Sequence, residues 1–400
     1  MLDLKYFDLM ATFSMMILIP IIDAEASSNP NLFVSAENSQ FDNHFSGSMV
    51  VEVVIRDNNI RDTDEGKGEP DVTLNGKTLR MVQATDGNWY AYFANIDKAK
   101  FADSTVGLDG KGLDFGSICT TTEGTAAISV DLNDADGVAY PYDSCSGGFK
   151  DEMNNVVRKA KSPNPTIPAD DPDLLGGQIG IMKDTWPFIQ LFSFDDVTIQ
   201  YNPGGGTQSI DLEYDDMANI SFNIDRDVYP ERAEVFLIIN DFQLNQDPTD
   251  EDSWTFNVGS PPSTFYQAYD NSGSDDANGG TGLVDLVPHL SALGFEDNGK
   301  LSLELEKIIE LKPNSDQPNS SIDDGGSNIF SEIVTLVEQG PNSGIFESFD
   351  SNDQSTIGIL EDAPRGQTGQ INYNQDSISV LTGFSTASVS LSEPVLTIEN

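Results

Sequence analysis

From Ser193 to Val258 apolar and polar residues alternate with a period of two, the period of a strand half-buried in a sheet. Ile210, Leu212 and Tyr214, then Ile220, Phe222 and Ile224, point to one face, with polar or acidic residues between them. A helix would scatter these side chains around its axis, so the stretch can bury them together only as β-structure. The same rule holds elsewhere. Met49, Val51, Val53 and Ile55 alternate with Val50, Glu52 and Val54, which predicts a central strand apolar on both faces. Asn75-Gly76, between Val72 and Leu79, is a hairpin signal. Trp89 to Phe93, Ala126 to Leu132 and Glu234 to Asn240 read as further strands, and Leu301 to Leu311 fits both a strand and a short helix. Short strands with frequent turn signals predict an all-β chain of sandwich domains with few helices. The best helical stretch is Lys150 to Lys161, which ends at a Pro-rich loop, 162–172.

A chain of 400 residues is too long for one ordinary sandwich. Composition breaks place the first domain at 27–194, a second at 195–317 and a third at 318–400. The third holds short strand-like runs up to Thr386–Leu391, and the chain stops directly after the strand-like Val395–Ile398. That end reads as the interior of a longer protein, with the third domain continuing beyond it. Residues 1–26 read as a signal peptide: Lys5 is followed by the apolar run Met10 to Ile22, with small residues at Ala24 and Ala26. The run is short for a membrane span and no second one follows, so the mature chain is expected to be exported without a span.

Acidic residues number 66 against 20 basic ones, a formal net charge of −46. Nucleic acid and anionic membranes would be repelled; metal ions, small cations and basic protein faces remain as partners. The plainer alternative is a solvated acidic surface. Calcium takes about six to eight hard oxygens. Candidate ligands are Asp57, Asp62, Asp64, Glu69 and Asp71 in one loop, and Asp211, Glu213, Asp215 and Asp216 at a strand end. The run Asp131, Asn133, Asp134, Asp136-Gly137 lacks the spacing and the later Glu of an EF-hand. Asp195, Asp196, Asp225, Asp227, Asp247, Asp250, Glu251 and Asp252 extend the surface acid. Nucleophile-elbow, zinc-protease, P-loop and dinucleotide-binding motifs are all missing, and His44 and His289 are the only histidines, so the sequence argues against an enzyme. Cys119 and Cys145, the only cysteines, are expected to pair in an exported chain. Asn219-Ile220-Ser221 and Asn319-Ser320-Ser321 are glycosylation sequons.

At DGNWYAYFANID (86–97), DVTIQYN (196–202), YPERAEVFLIINDFQLNQDPTDEDSWTFNV (229–258) and VEQGPNSGIFESFDSNDQSTIGILEDAPRGQTGQINYN (337–374), the chain resembles the surface-layer proteins of ammonia-oxidising archaea. The resemblance covers most of the chain after residue 26. It implies tandem immunoglobulin-like β-sandwiches at the cell surface, assembled with copies of themselves into a porous two-dimensional lattice. It also implies lattice-bound metal ions and glycans. Physics adds that such an acidic lattice would enrich small cations, ammonium among them, within narrow pores. A monomeric secreted adhesin or binding module is the alternative, and a secreted hydrolase a more distant one.

Overall fold

A computed structural model describes residues 29–384 apart from 109, 133, 143, 147–155, 166–173, 183, 216, 218–219, 271, 274–281, 296–297 and 324–327. The signal-peptide region, the sequon residue Asn219, Asp216 and the last expected strands lie outside the described residues. The fold of the described residues is all-β, with three short α-helices among them at Ile96–Ser104, Thr121–Ile128 and Leu290–Leu293. Among the described residues no helix is long and apolar enough to cross a membrane.

The strand Trp89–Asn95 is buried along its whole length, because its sheet is covered on both faces. It pairs antiparallel with Val51–Ile55 on one side and parallel with Ile189–Phe192 on the other. Leu32–Val34, Gly137–Tyr140, Ser117–Cys119 and Val82–Gln83 complete seven strands. Trp89, Ala91 and Phe93 meet a five-stranded sheet made of His44–Phe45, Gln208–Tyr214, Asp196–Tyr201, Val72–Leu74 and Lys77–Thr78. The alternation reads out directly there: Ile210 and Leu212 are buried between the sheets, while Asp211 and Glu213 are exposed. Asn75 and Gly76 take positive φ, +50° and +77°, as a two-residue hairpin turn requires.

A second pair of sheets forms the other half. Ser221–Ile224, Leu237–Asn240, Ile345–Glu347, Ile333–Glu338, Ser253–Asn257 and Ser263–Tyr266 make six strands in that order. Val228–Tyr229, Asp376–Thr382, Thr368–Tyr373 and Leu301–Leu303 make four. Leu237, Ile239, Trp254, Phe256, Leu336 and Phe346 are buried in one core with Leu301, Ile371, Tyr373 and Val380.

The expected boundaries at 194/195 and 317/318 are corrected by this pairing. Asp196–Tyr201 bonds to Val72–Leu74, and Gln208–Tyr214 to His44–Phe45, so the first sandwich extends through Tyr214. Ile333–Glu338 lies between Ser253–Asn257 and Ile345–Glu347, so the expected second and third domains are one sandwich. Composition marks loops, but partner choice depends on register between distant segments. Two local expectations also change. Ala126–Ile128 ends a helix, started by a capping box in which Thr120 accepts from the Glu123 N–H and Glu123 reaches back to Thr120. Residues 156–161 are not helical, and the remainder of the expected helix, 150–155, is outside the described residues. Leu301–Leu311 is two strands, Leu301–Leu303 and Ile309–Leu311, with a turn between them.

The sandwiches share apolar contacts. Val50, Tyr92, Ala94, Ile189 and Leu191 of the first belong to the same buried cluster as Trp254, Leu293 and Phe295 of the second. Phe41 stacks on Phe242 at 5.1 Å, and the Val50 N–H donates to the Gln246 carbonyl at 3.1 Å. Gly47, with φ +59°, lets the Leu293 carbonyl come so close that a Cβ would collide with it.

Cys119 and Cys145 are joined by a disulfide across 26 residues, tying the outer strand Ser117–Cys119 to the loop after Gly137–Tyr140. Closing a loop of that length in the unfolded chain predicts that the Cys119→Ala, Cys145→Ala double variant loses about 3 kcal/mol. Denaturant melts check this, and an unchanged midpoint would contradict it.

Candidate functional site

The proposed metal ligands of the first loop are separated and engaged by protein donors. Asp57 is buried and accepts from the Tyr201 hydroxyl at 2.8 Å and from the N–H and side-chain amide of Asn59 at 2.8 and 2.9 Å. Asp62 turns back on the N–H groups of Asp64 and Glu65, and Lys67 stands 3.7 Å away; Asp64 itself is exposed. Glu69 grips the Arg80 guanidinium in a fork and accepts from the Met81 N–H at 2.7 Å. Asp71 accepts from the Asn202 amide at 3.1 Å. The loop's carbonyls are engaged too: Gln83, fully buried, donates to the Asp62 carbonyl, and Asn164 to that of Thr63. On the second sheet Asp211 accepts from the Thr198 hydroxyl at 2.7 Å, and Glu213 pairs with His44 at 3.0 Å. Asp215 follows them, exposed, with its N–H on the Phe45 carbonyl. Among the described residues no group of three or more His, Cys, Asp or Glu side chains is gathered to hold a metal ion.

The densest charged site is one that the sequence reading missed. Asp247, Asp250 and Asp252 were expected on the surface; Asp247 and Asp252 are fully buried where the two sandwiches meet. Arg158 reaches them from the segment after the 147–155 stretch, with Val156 and Val157 beside it anchored in the shared core. Its guanidinium donates to Asp252 at 2.8 Å, to the Glu251 carbonyl at 3.0 Å and to the Tyr266 hydroxyl at 2.5 Å. Its main-chain N–H donates to Asp247 at 2.9 Å. Asp252 also accepts from Tyr266 at 2.7 Å and from the N–H groups of Gln246 and Asp247. Lys159 holds Asp250 at 2.6 Å. Behind Asp252 lies Glu338, which accepts from the Asp252 N–H at 3.2 Å and the Gly344 N–H at 2.8 Å.

Asp247, Asp250 and Asp252 thus share one guanidinium, at 3.5, 3.6 and 2.8 Å, with Glu338 beyond them. Burial pushes Asp247 up to about 7, against the pull of Arg158, with the Asp252 charge adding to the rise. Burial, then the Asp252 charge, pushes Glu338 up to about 8. Burial also raises Asp252. Burial of this kind works against the charged form of each carboxyl, and Arg158 works for it at Asp247 and Asp252.

Glu338 also lines an open cleft of about 390 Å³ with Glu251, Asp316, Glu347, Asp350 and Asp353. Burial, then the Asp350 charge, raises Asp316 to about 6, and burial raises Glu347. For Asp350 burial acts upward too, but hydrogen bonds from Ser315, Gln354 and Asn352 outweigh it and leave the group low. The two histidines stand elsewhere, His44 on Glu213 and His289 against the Phe101 ring. Asn319 is exposed in the loop before Ile322–Asp323. No protein-family model matches the chain, and no curated protein matches it either.

Proposed function

We propose that this chain is a structural, extracellular cell-surface protein that assembles with copies of itself into a porous, acidic two-dimensional layer. The observation that carries this reading is the division of labour along its strands: apolar positions close two sandwiches while the alternate positions, such as Asp196, Asp211 and Glu213, turn carboxylates outward. The resemblance of four long stretches to archaeal surface-layer proteins supports it, as does a net charge of −46. Outward carboxylates enrich small cations, ammonium included, and the screening length of about 3–8 Å at high to physiological salt confines that effect to narrow pores. Divalent ions such as calcium act, on this reading, between copies, where carboxylates of two surfaces meet. Asn319 stands where a glycan would project into solvent.

Sedimentation velocity over a concentration series, with and without calcium, tests the proposal. Species that grow in size with concentration, and further with calcium, are expected. One slow species under every condition would favour a dispersed adhesin-like module instead.

A further inference from the structure

Several outer strands of the four large sheets have their free backbone edge engaged. Gln208 caps the Asn31 and Leu32 N–H groups beside Leu32–Val34. Asp134 accepts from Thr78 in Lys77–Thr78. In Ser263–Tyr266, Thr264 donates to Asp285 and accepts from Leu286. Leu303 donates to the Val258 carbonyl. Ser221–Ile224 differs from these: it is the outer strand of the six-stranded sheet and, among the described residues, pairs on one side only, with Leu237–Asn240.

The ladder fixes which of its groups are free. The Asp225 N–H donates to the Phe236 carbonyl, and inward bonds alternate along an antiparallel pair, so Ser221 and Asn223 also face inward. Leu237, opposite Ile224, gives its N–H and carbonyl to Ser348, which agrees with that alternation. The N–H and carbonyl groups of Phe222 and Ile224 therefore point out of the sheet. None of the four side chains is charged; Ser221 and Asn223 are exposed, and Phe222 and Ile224 lean on the core. Lysine, proline and a bulge, the usual protections of an open edge, are missing from it.

We propose that Ser221–Ile224 pairs antiparallel with the same strand of a second copy about a two-fold axis at Asn223, an interface that deepens the self-assembly reading and rests on it. In that register Phe222 of each copy exchanges both backbone bonds with Ile224 of the other, and the two six-stranded sheets become continuous. The charge pattern favours a copy as occupant. Asp225 falls opposite Ser221 and Arg226 opposite Ile220, so two acidic molecules meet with no carboxylate facing another across the pair. The contact is isologous, as a two-fold requires.

The two Asn223 residues then form a non-hydrogen-bonded pair with Cα atoms about 4.5 Å apart. In the full chain, whose own cysteines are already paired, Asn223→Cys should cross-link to a covalent dimer under mild oxidation. Ser351→Cys, exposed on another loop, serves as the control and should stay monomeric. Asn223→Glu, which sets two carboxylates face to face, should weaken the dimer at least tenfold in sedimentation equilibrium while leaving the melting temperature unchanged. Cross-linking of Asn223→Cys no greater than the control, or a dimer insensitive to Asn223→Glu, would overturn the interface. If unmodified protein still forms sheets in that case, the layer reading stands without this contact; if cross-linking succeeds and sheets never form, the layer reading alone fails.

Discussion

Replacing Arg158 with methionine is expected to cost about 3–5 kcal/mol of stability, because it leaves buried carboxylates without their counter-charge. Asp247 and Asp252 are fully buried, and the guanidinium is the only cation that bonds Asp252 among the described residues. The same substitution strips a donor from the Tyr266 hydroxyl and from the Glu251 carbonyl. Methionine fills much of the volume, so the loss reports charge and hydrogen bonding more than packing. Arg158→Lys should fall in between, since an ammonium keeps the charge but cannot span Asp252, Tyr266 and Glu251 from one plane. Urea melts of the three proteins check the order. Equal stability for Arg158→Met and the parent would mean that the junction is hydrated and that the guanidinium does little there.

The second large effect is a loss of stability as pH rises from about 5 to 9. Asp241, fully buried and accepting from the Tyr373 hydroxyl at 2.6 Å, at about 6, Asp247 at about 7 and Glu338 at about 8 all lie above their ordinary values, in each case chiefly through burial. A carboxyl group raised in the folded state binds its proton more tightly there than in the unfolded chain. Its contribution is fully present below the unfolded value near 4 and is lost as pH climbs through the folded value. Each tenfold tightening of proton binding corresponds to about 1.4 kcal/mol, so the three groups together amount to several kcal/mol, on the order of the whole stability of a domain. The surface acts in the same sense, because a chain with 66 acidic residues repels itself more as they ionise. Thermal melts at fixed ionic strength should show the midpoint falling from pH 5.5 to 8.5. Glu338→Gln, which keeps the shape of the protonated group, should flatten the upper part of that slope. A midpoint that rises with pH would contradict the assignment of protons to the junction.

Much of the fold was legible where the signal is local. Ile210 and Leu212 turn inward and Asp211 and Glu213 outward as their alternation requires, and Asn75-Gly76 makes its hairpin. What failed was distant or competing. Nothing near Gln208–Tyr214 announces that its partner is His44–Phe45, far earlier in the chain. Within Ala126–Leu132 the β-branched Ile128 and Val130 look strand-like, but the Thr120–Glu123 capping box ahead of them starts a helix that runs to Ile128, and that signal was available in the sequence. The carboxylates were harder. Asp247 to Asp252 has the composition of an exposed loop, and its burial depends on Arg158, 89 residues before Asp247. In the first loop the acids look like calcium ligands because their competitors, Tyr201, Arg80 and Asn202, arrive from other segments of the chain.

The claim that the carboxylate-bearing surface exists to build a layer is tested most directly by electron microscopy of the purified chain at high concentration in calcium. Planar arrays whose Fourier transforms show sharp, regularly spaced reflections are predicted. Separate particles with no repeat, across the same range of protein and calcium, would contradict it.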